Sequence, residues 1–275
     1  MKIGVTGGAG FVGTNLTHEL LKQNYEVVVV DDLSTGLESN LVNLDIDFRQ
    51  ISITDAIKLE TAFAHVDCII HLAARGSVPR SIKNPRATFE VNVTGTQNVL
   101  EVARKTGAKV IFSSSSSVYG SNSDLPKKEK MWTSPISPYA ASKLSGEAIV
   151  ESYAKSYGLD STTFRFFNIY GPFQRPDHDY AAVIPKWIWS AMRGETLKVF
   201  GDGNQSRDFT YVASVVQVLI QCLKMKSSHE NPINLAFGNR ILLNDVVEEF
   251  QKFFPRLEVE YLPVRQGDVF ESQND

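Results

Sequence analysis

The chain has little cysteine, little net charge and no long apolar run. Two of its 275 residues are cysteines. Cys68 and Cys222 both lie within apolar segments, so we interpret them as buried hydrophobic side chains, not as a disulfide or metal pair. The net charge of −3 gives no reason to expect a nucleic acid partner, and no stretch is long enough to span a bilayer. We therefore expect no metal, no nucleic acid and no membrane.

The N-terminus also lacks the charged and apolar regions of a secretory signal. Together with the unpaired cysteines, this predicts a cytoplasmic protein. What is present is a globular composition, with 43% hydrophobic and 21% charged residues. A chain of this length can bury one sizeable core, or a main core and a smaller lobe.

Short β-rich runs alternate with longer helical patterns through the first two-thirds of the chain, as in βαβ units around a parallel sheet. The predicted strands are Lys2–Thr6, Glu26–Val30, Asp47–Gln50, Cys68–Leu72, Lys109–Ser113 and Thr162–Phe166. Apolar residues recur at helical spacing from Phe11 to Leu21, which predicts a crossover helix. Right-handed crossovers then give an α/β fold with a doubly wound parallel sheet of the Rossmann type.

The first predicted strand runs into Gly7-Gly8-Ala9-Gly10-Phe11-Val12-Gly13, a glycine turn that opens a helix. Glycines here allow the tight turn and let the backbone approach a pyrophosphate, which the amides of the helix N-terminus attract. Asp31 follows the next strand, where a carboxylate accepts hydrogen bonds from an adenosine ribose and repels a 2′-phosphate. The sequence therefore predicts an NAD site, with NAD favoured over NADP.

After Asn168 the chain changes to loops punctuated by glycine and proline. This predicts an NAD-binding domain over residues 1–168 and a smaller C-terminal lobe over residues 169–275. A helical run at Ser214–Lys224 and a strand at Ile233–Ala236 are expected to return residues 205–237 to the first domain.

Tyr139 and Lys143 lie four residues apart and share a face if the segment is helical. An ammonium beside a phenol lowers the pKa of the phenol, so Tyr139 is a candidate general base for a sugar hydroxyl. Such a pair also occurs as an ordinary surface contact. The motifs around it favour the functional interpretation.

These motifs together resemble one family, the extended short-chain dehydrogenase/reductases, and within it the nucleotide-sugar epimerase/dehydratase group. The matching segments span essentially the whole chain and are Gly7–Gly13, Val30–Gly36, His71–Ala74, Asn92–Thr96, Ser113–Gly120, Tyr139–Lys143, Arg165–Pro172, Gly201–Gly203, Arg207–Phe209 and Arg265–Asp268. The resemblance implies that Ser115, Tyr139 and Lys143 form the catalytic triad, with Ser115 hydrogen-bonded to the reacting hydroxyl.

For the cofactor, the resemblance implies contacts from the glycine turn and from the ends of several strands. The predicted NAD-binding residues are Gly7, Gly10, Phe11, Val12, Gly13, Asp31, Asp32, Ser34, Thr35, Gly36, Ser52, Ile53, Leu72, Ala73, Ala74, Asn92, Ser113, Tyr139, Lys143 and Phe166. Relatives carry an acidic residue against the adenine where this chain has Ser52 and Ile53.

The second lobe is expected to bind the nucleotide of a UDP-hexose. The predicted substrate-binding residues are Ser115, Ser116, Asn168, Val183, Lys186, Val199, Phe200, Gln205, Arg207, Arg265, Asp268 and Ser272. Arg207 and Arg265 carry guanidinium groups suited to bidentate phosphate contacts. Taken singly, each arginine is also typical of a surface ion pair.

The residue after the catalytic serine separates the reactions of this group. Dehydratases and decarboxylases carry an acidic residue there, whereas this chain has Ser116. The resemblance therefore favours C4 epimerisation through a 4-keto sugar. Ser272 falls where a large aromatic residue closes the pocket of epimerases confined to glucose and galactose. This predicts the UDP-GlcNAc/UDP-GalNAc pair, with UDP-Glc/UDP-Gal as a further pair.

Two alternatives stay open. One is another UDP-sugar oxidoreductase or a uronate epimerase, for which Arg75 offers a carboxylate contact. The other is a non-catalytic nucleotide-binding regulator on the same fold. Relatives commonly dimerise through helices that correspond to Pro85–Thr106 and Ala140–Tyr157, so a homodimer is predicted. They also continue past the Arg-x-Gly-Asp segment, so the lobe is expected to be shortened at its C-terminus.

Overall fold

The computed structural model describes residues 1–177, 181–225, 231–264 and 273–274. Its strands are β1 (Lys2–Thr6), β2 (Glu26–Asp31), β3 (Asp47–Gln50), β4 (Cys68–His71), β5 (Lys109–Ser115), β6 (Ser161–Phe166), β7 (Ile169–Tyr170), β8 (Leu197–Phe200), β9 (Ser206–Arg207), β10 (Thr210–Tyr211), β11 (Ile233–Leu235), β12 (Ile241–Leu242) and β13 (Val259–Leu262). Its α-helices are α1 (Phe11–Lys22), α2 (Ala56–Ala62), α3 (Val78–Lys83), α4 (Pro85–Phe89), α5 (Gly95–Thr106), α6 (Pro138–Tyr157), α7 (Val183–Met192), α8 (Val212–Lys224) and α9 (Leu243–Phe253).

Seven strands form one parallel sheet in the order β11-β6-β5-β4-β1-β2-β3. The chain runs outward from β1 through β2 to β3, and then starts again at β4 on the other side of β1. This reversal opens a crevice at the carboxyl ends of the central strands, which is where open α/β sheets bind ligands. The predicted doubly wound sheet is confirmed.

The predicted strands are confirmed with small differences at their ends. β1 and β3 have the predicted bounds, whereas β5 continues two residues further, to Ser115. β11 ends at Leu235 and pairs with β6, and α8 packs against α1. The chain therefore does return to the main sheet near residue 233. The division of the chain into domains at residue 168 stays a prediction.

Alternate residues of the central strands enter the cores on the two faces of the sheet. Ile3, Val5 and Ile70 lie in one apolar cluster, and Ile69 and Val110 lie in the other. The first cluster also contains both cysteines, which are buried and unpaired. Their predicted role as buried hydrophobic side chains is confirmed.

A third, smaller core lies on the C-terminal side of the sheet. It contains Trp187, Leu197, Val199, Phe209, Leu243 and Val247. The strands β8 and β13 pair in parallel beside α7 and α9, and two short strand pairs, β7 with β10 and β9 with β12, connect this lobe to the rest. Within the described ranges, no helix combines the length and the hydropathy that a membrane span needs.

Candidate active site

The glycine turn between β1 and α1 brings backbone against backbone. Gly7 has a φ of +72°, and a Cβ on it would lie 2.8 Å from the amide nitrogen of Ala73. A Cβ on Gly13 would lie 2.1 Å from the carbonyl oxygen of Gly7. α1 begins after Gly10 without a side-chain cap, so no side chain competes for the amides of its first turn. The turn thus has the close approach and the amide donors that a pyrophosphate requires.

Asp31, at the end of β2, is hydrogen-bonded to the backbone of this turn. One of its carboxylate oxygens accepts a hydrogen bond from the amide of Ala9 at 3.0 Å, and the other accepts one from the amide of Leu33 at 2.8 Å. Burial raises the pKa of this carboxyl, and the two amide hydrogen bonds oppose that effect. Each oxygen retains a second lone pair, so the carboxylate can accept from ribose hydroxyls while it holds the turn.

The segment after Asp31 is also fixed against the glycine turn. The Asp32 carboxylate accepts from the amide of Ser34 at 2.9 Å, and the Thr35 carbonyl accepts from Arg175 at 3.3 Å. A Cβ on Gly36 would lie only 2.8 Å from the Cβ of the alanine in the turn. This built recess fits the adenosine end of NAD.

The backbone that follows β4 is tied to β1 through one hydroxyl. The Thr6 hydroxyl accepts from the amides of Leu72 and Ala73, both at 3.1 Å, and bonds to Nδ1 of His71 at 2.7 Å. The Nε2 of His71 lies 3.0 Å from the hydroxyl of Thr96. Burial lowers the pKa of His71 to about 3, so the imidazole is neutral. The segment predicted to line the cofactor therefore lies beside the glycine turn.

Asn92 has partners inside the protein. It lies in a π-helical segment, Glu90–Thr94, a feature that is rare and often found at functional sites. Its amide oxygen accepts from the backbone amide of Arg75 at 2.7 Å, and its amide nitrogen donates to the hydroxyl of Ser142 at 2.9 Å. It therefore ties the loop after β4 to α6, and its contact with NAD stays a prediction.

Other predicted cofactor residues are similarly engaged. The hydroxyl of Ser52 bonds to that of Thr54 at 2.9 Å, and the side chain of Ile53 is buried. The Ser113 hydroxyl donates to the carbonyl of the last residue of β4 at 2.9 Å. Phe166 packs against the main core. The contacts of these residues with the cofactor stay predictions.

Ser115, Tyr139 and Lys143 are brought together where β5 ends and α6 begins. Ser137 caps α6 by accepting from the amide of Ala140 at 3.1 Å, which places Tyr139 in the first turn. Ser115 lies next to Tyr139, close enough to affect the pKa of its phenol. One turn later, the buried Lys143 ammonium donates to the backbone of β5. The predicted helical face is therefore present.

The direction of the Tyr139 pKa differs from the sequence-based expectation, which was that Lys143 lowers it. Burial raises the pKa of Tyr139, and the neighbouring Ser115 opposes this. The Lys143 ammonium donates instead to the carbonyl oxygen of Ser113 at 2.7 Å. Burial lowers the pKa of Lys143 to about 8. Burial is thus the largest cause of the pKa shift at both groups.

A cavity of about 480 Å³ lies between the sheet and the C-terminal lobe. The predicted substrate-binding residues that line it are Ser115, Ser116, Asn168, Val183, Lys186, Phe200, Gln205 and Arg207. The structure therefore brings residues from β5, from the segment after β6, and from α7, β8 and β9 around one space. Ser115 is part of the wall of this cavity, and Tyr139 lies next to Ser115.

Val199 does not line the cavity with its side chain. Residues alternate along β8, so Leu197 and Val199 face the lobe core while Lys198 and Phe200 face the cavity. The predicted contact of Val199 with the substrate, partly through backbone groups, stays a prediction. Lys198 was missed, although the period of two along the strand could have identified it.

Three predicted residues, Arg265, Asp268 and Ser272, lie outside the described residues. The chain is described again at residues 273–274, beside the cavity. The carbonyl of Gln273 accepts from the amide of the cavity residue Lys127 at 2.8 Å. The amide of Asn274 donates to the buried Asp208 at 3.0 Å, next to Arg207.

Sequence reasoning also missed the wall behind the serine turn. Tyr119, Asn122 and Lys127 line this part of the cavity. The Lys127 ammonium donates to the carbonyl oxygens of Asn122 and Asp124 at 2.5 and 2.7 Å. Tyr119 lies in the segment Ser113–Gly120 that the family resemblance marked, whereas no motif of the sequence marked Asn122 and Lys127. Across residues 1–177, 181–225, 231–264 and 273–274, no three His, Cys, Asp or Glu side chains are grouped as metal ligands.

Comparison with known proteins agrees with this geometry. Residues 3–236 match the NAD dependent epimerase/dehydratase family. The chain belongs to this family, a class of NAD-dependent nucleotide-sugar enzymes with a Rossmann-like sheet, and NAD is its cofactor.

Three similar proteins illustrate the range of substrates in the family. The UDP-N-acetylglucosamine 4-epimerase of Methanobrevibacter ruminantium M1, solved with UDP-N-acetylmuramic acid, is 36% identical, with 100% of this chain and 89% of that chain covered and a TM-score of 0.94. The UDP-glucose 4-epimerase of Thermotoga maritima, solved with UDP-glucose, is 36% identical over 100% of this chain and 90% of that chain, again with a TM-score of 0.94. The UDP-glucuronate 4-epimerase of Thermodesulfobacterium geofontis is 36% identical over 96% of this chain and 84% of its own length.

Proposed function

We propose that the protein is an NAD-dependent UDP-hexose 4-epimerase that interconverts UDP-GlcNAc and UDP-GalNAc, with UDP-Glc and UDP-Gal as a second pair. One observation supports epimerisation most directly. Among the described residues that line the cavity there is no aspartate or glutamate, and Ser116 follows the catalytic serine. Elimination needs a general acid at the reacting sugar, whereas epimerisation needs only the base, the cofactor and space for the sugar.

The charges of the cavity wall support a diphosphate ligand. Lys127, Lys186, Lys198 and Arg207 contribute four cationic side chains. Lys186 and Lys198 come from the lobe, and Arg207 lies at the start of the segment that enters α8. Cations on one side of a site hold a nucleotide diphosphate while the sugar end stays less constrained. This arrangement suits a reaction in which the sugar must turn over.

The chemistry uses the residues at the carboxyl end of β5. The hydroxyl of Ser115 holds the C4 hydroxyl of the sugar, and Tyr139 takes its proton. The glycine turn and Asp31 would hold NAD, which would supply reversible hydride transfer at C4. Tyr139 then gives the proton back to the oxygen of the 4-keto sugar. The proton returns to the oxygen at C4 and the hydride returns to C4 itself, so the reaction has no net redox change.

The likeness to the UDP-N-acetylglucosamine 4-epimerase of Methanobrevibacter ruminantium supports the acetamido sugars, and the equal likeness to a UDP-glucose 4-epimerase supports the second pair. The cavity beside Ser115 is bounded by small or compact side chains from Ser77 to Pro79. A uronate epimerase is the second candidate, because one relative acts on UDP-glucuronate and the loop after β4 carries Arg75. A homodimer through α4, α5 and α6 is part of the proposal.

Product analysis tests this proposal. Purified protein with NAD is incubated separately with UDP-GlcNAc, UDP-Glc and UDP-glucuronate, and the products are resolved by NMR while absorbance at 340 nm is followed. We expect the 4-epimer of UDP-GlcNAc without net NADH. Turnover of UDP-glucuronate alone would select the uronate reaction, and accumulating NADH would select a dehydrogenase.

A further inference from the structure

Three successive turns on one face of α6 contact the ends of neighbouring strands. Tyr139, Lys143 and Glu147 are spaced by four residues and so lie above one another on the helix. Tyr139 lies next to Ser115, and Lys143 donates to the carbonyl of Ser113 at 2.7 Å. Glu147 lies on the same helix face but has not been assigned to catalysis, to the cofactor or to the substrate.

The carboxylate of Glu147 is buried and engaged at both oxygens. Oε1 accepts from the Ser114 hydroxyl at 2.5 Å and from Nε of Arg165 at 2.9 Å, and Oε2 accepts from Nη2 of Arg165 at 2.7 Å. The side chains of Arg165 and Glu147 are only 5% and 6% exposed. A bidentate pair this deep fixes the orientation of both side chains, and loss of one partner leaves an uncompensated buried charge.

Arg165 also holds the segment that follows the catalytic serine. Its Nη1 donates to the Tyr119 hydroxyl at 2.9 Å and to the carbonyl of Glu129 at 3.2 Å. Its guanidinium carbon lies 4.8 Å from the centroid of the Tyr119 ring. Tyr119 ends the 3-10 turn Ser116–Tyr119, which begins directly after Ser115. Arg165 therefore links α6, through Glu147, to the turn that carries the catalytic serine.

Lys143 is surrounded by few charged or titratable groups. The groups near it are the Glu147 carboxylate of its own helix, the neutral His71 imidazole of β4, the Ser113 carbonyl and the Phe112 ring of β5, and Arg165 of β6, which is bound to the carboxylate. Tyr139 lies one turn earlier on the same helix face. Among these groups, Glu147 is the one that carries a negative charge. Its removal would deprive the buried Lys143 and Arg165 of this counter-charge.

We propose that Glu147, held by Arg165, is a positioning residue for the catalytic group, fixing α6 against β5 and keeping the Lys143 ammonium charged at the pH where Tyr139 acts. This rests on the proposed function, because it gives Glu147 a part in presenting the base. Burial lowers the pKa of Lys143 to about 8, and Glu147 acts in the opposite direction. Without the carboxylate the pKa of Lys143 falls further, so the ammonium is lost at a lower pH.

The test is the titration of Lys143 in NAD-loaded protein. Lysine labelled with ¹³C at Cε is followed by NMR against pH, and the resonance is assigned with Lys143→Met. In Glu147→Gln we expect the midpoint of Lys143 to fall by at least about one pH unit. The pH above which UDP-hexose turnover declines should fall by a similar amount. Glu151→Gln is the matched control, since Glu151 lies one turn later, exposed and paired with Lys155, and should change neither.

An unchanged Lys143 midpoint in folded Glu147→Gln overturns the proposal. Glu147→Asp keeps the charge, so the midpoint of Lys143 in this variant should return toward that of the wild type. A midpoint as low as that of the glutamine variant also overturns the proposal.

If Glu147→Gln does not fold, Arg165→Lys takes its place. A lysine cannot make the two parallel hydrogen bonds that Arg165 makes to Glu147, so kcat should fall about tenfold or more with little change in KM. A kcat equal to that of the wild type contradicts the proposal. Absence of turnover in the wild type would defeat the proposed function, while the titration still decides the role of Glu147.

Discussion

The ammonium of Lys143 lies 2.7 Å from the carbonyl oxygen of Ser113, so the helix that carries Tyr139 is joined to β5 by a buried cation. Burial lowers the pKa of Lys143 to about 8. Below that pH the amine is charged, which opposes the effect of burial on a phenol of the same helix face, and above it the charge is lost. We therefore expect turnover to fall as the pH rises through about 8.

The measurement is kcat/KM for UDP-hexose from pH 6 to about 10, the span between the ordinary pKa values of His and Lys. Lys155→Met, which alters an exposed lysine near the end of the same helix, should leave the profile unchanged. A rate that is level up to pH of about 10 would show that the charge of Lys143 is not needed.

Tyr139→Phe should lower kcat by about 10²–10⁴-fold, the usual contribution of a general base. The ring and its packing are retained, so the dissociation constant for UDP should stay within about twofold of the wild-type value, a difference of less than half a kcal/mol. Turnover and calorimetric UDP binding are measured on the same preparation. Tyr157→Phe, on the exposed end of α6, is the control, and near-normal turnover by Tyr139→Phe would exclude this base.

Lys198→Gln should weaken UDP binding by about tenfold or more, because a charged hydrogen bond contributes about 1.5–3 kcal/mol. The side chain of Lys198 lines the cavity from β8. Calorimetry at low and high salt should show a smaller salt dependence in the variant. Lys252→Gln changes an exposed lysine of α9 and should bind UDP normally. Equal affinity in both variants would remove Lys198 from the diphosphate site.

Gly13→Ala should disrupt the turn that is assigned to the pyrophosphate. The added Cβ would lie 2.1 Å from the Gly7 carbonyl oxygen, so the turn must open. We expect NAD affinity to fall at least about tenfold and Tm to fall by several degrees, as about 1–3 kcal/mol of overpacking strain implies. At Gly76 a Cβ meets no atom within 4 Å, so Gly76→Ala should keep Tm. Normal NAD binding by Gly13→Ala would place the pyrophosphate elsewhere.

Local patterns were sufficient for much of the fold. The glycine turn, β1 and Asp31 follow from short-range rules on turns, strand periodicity and helix N-termini, and the structure places them together. The path of the later chain also followed from pattern, since the predicted strand at residue 233 pairs with β6. Parallel sheets make such returns predictable because crossovers have one hand.

What the sequence left out depends on contacts between distant residues. The pKa of Tyr139 is governed by burial, which spacing along a helix cannot reveal. Glu147 lies two helical turns after Tyr139, but its role depends on the ion pair with Arg165 of β6, which the sequence does not show. Lys198 was within reach of pattern reasoning, since its neighbour Val199 is the buried residue of the alternating pair.

In the proposed reaction, the hydride taken from C4 of the sugar is the one that returns to it. UDP-GlcNAc labelled with deuterium at C4 is incubated with the NAD-loaded protein in ordinary water, and the UDP-GalNAc formed is analysed by mass spectrometry and NMR. We predict that the product keeps its deuterium at C4. Product in which solvent hydrogen has replaced the deuterium would contradict hydride return, because the C4 hydrogen would then have left as a proton.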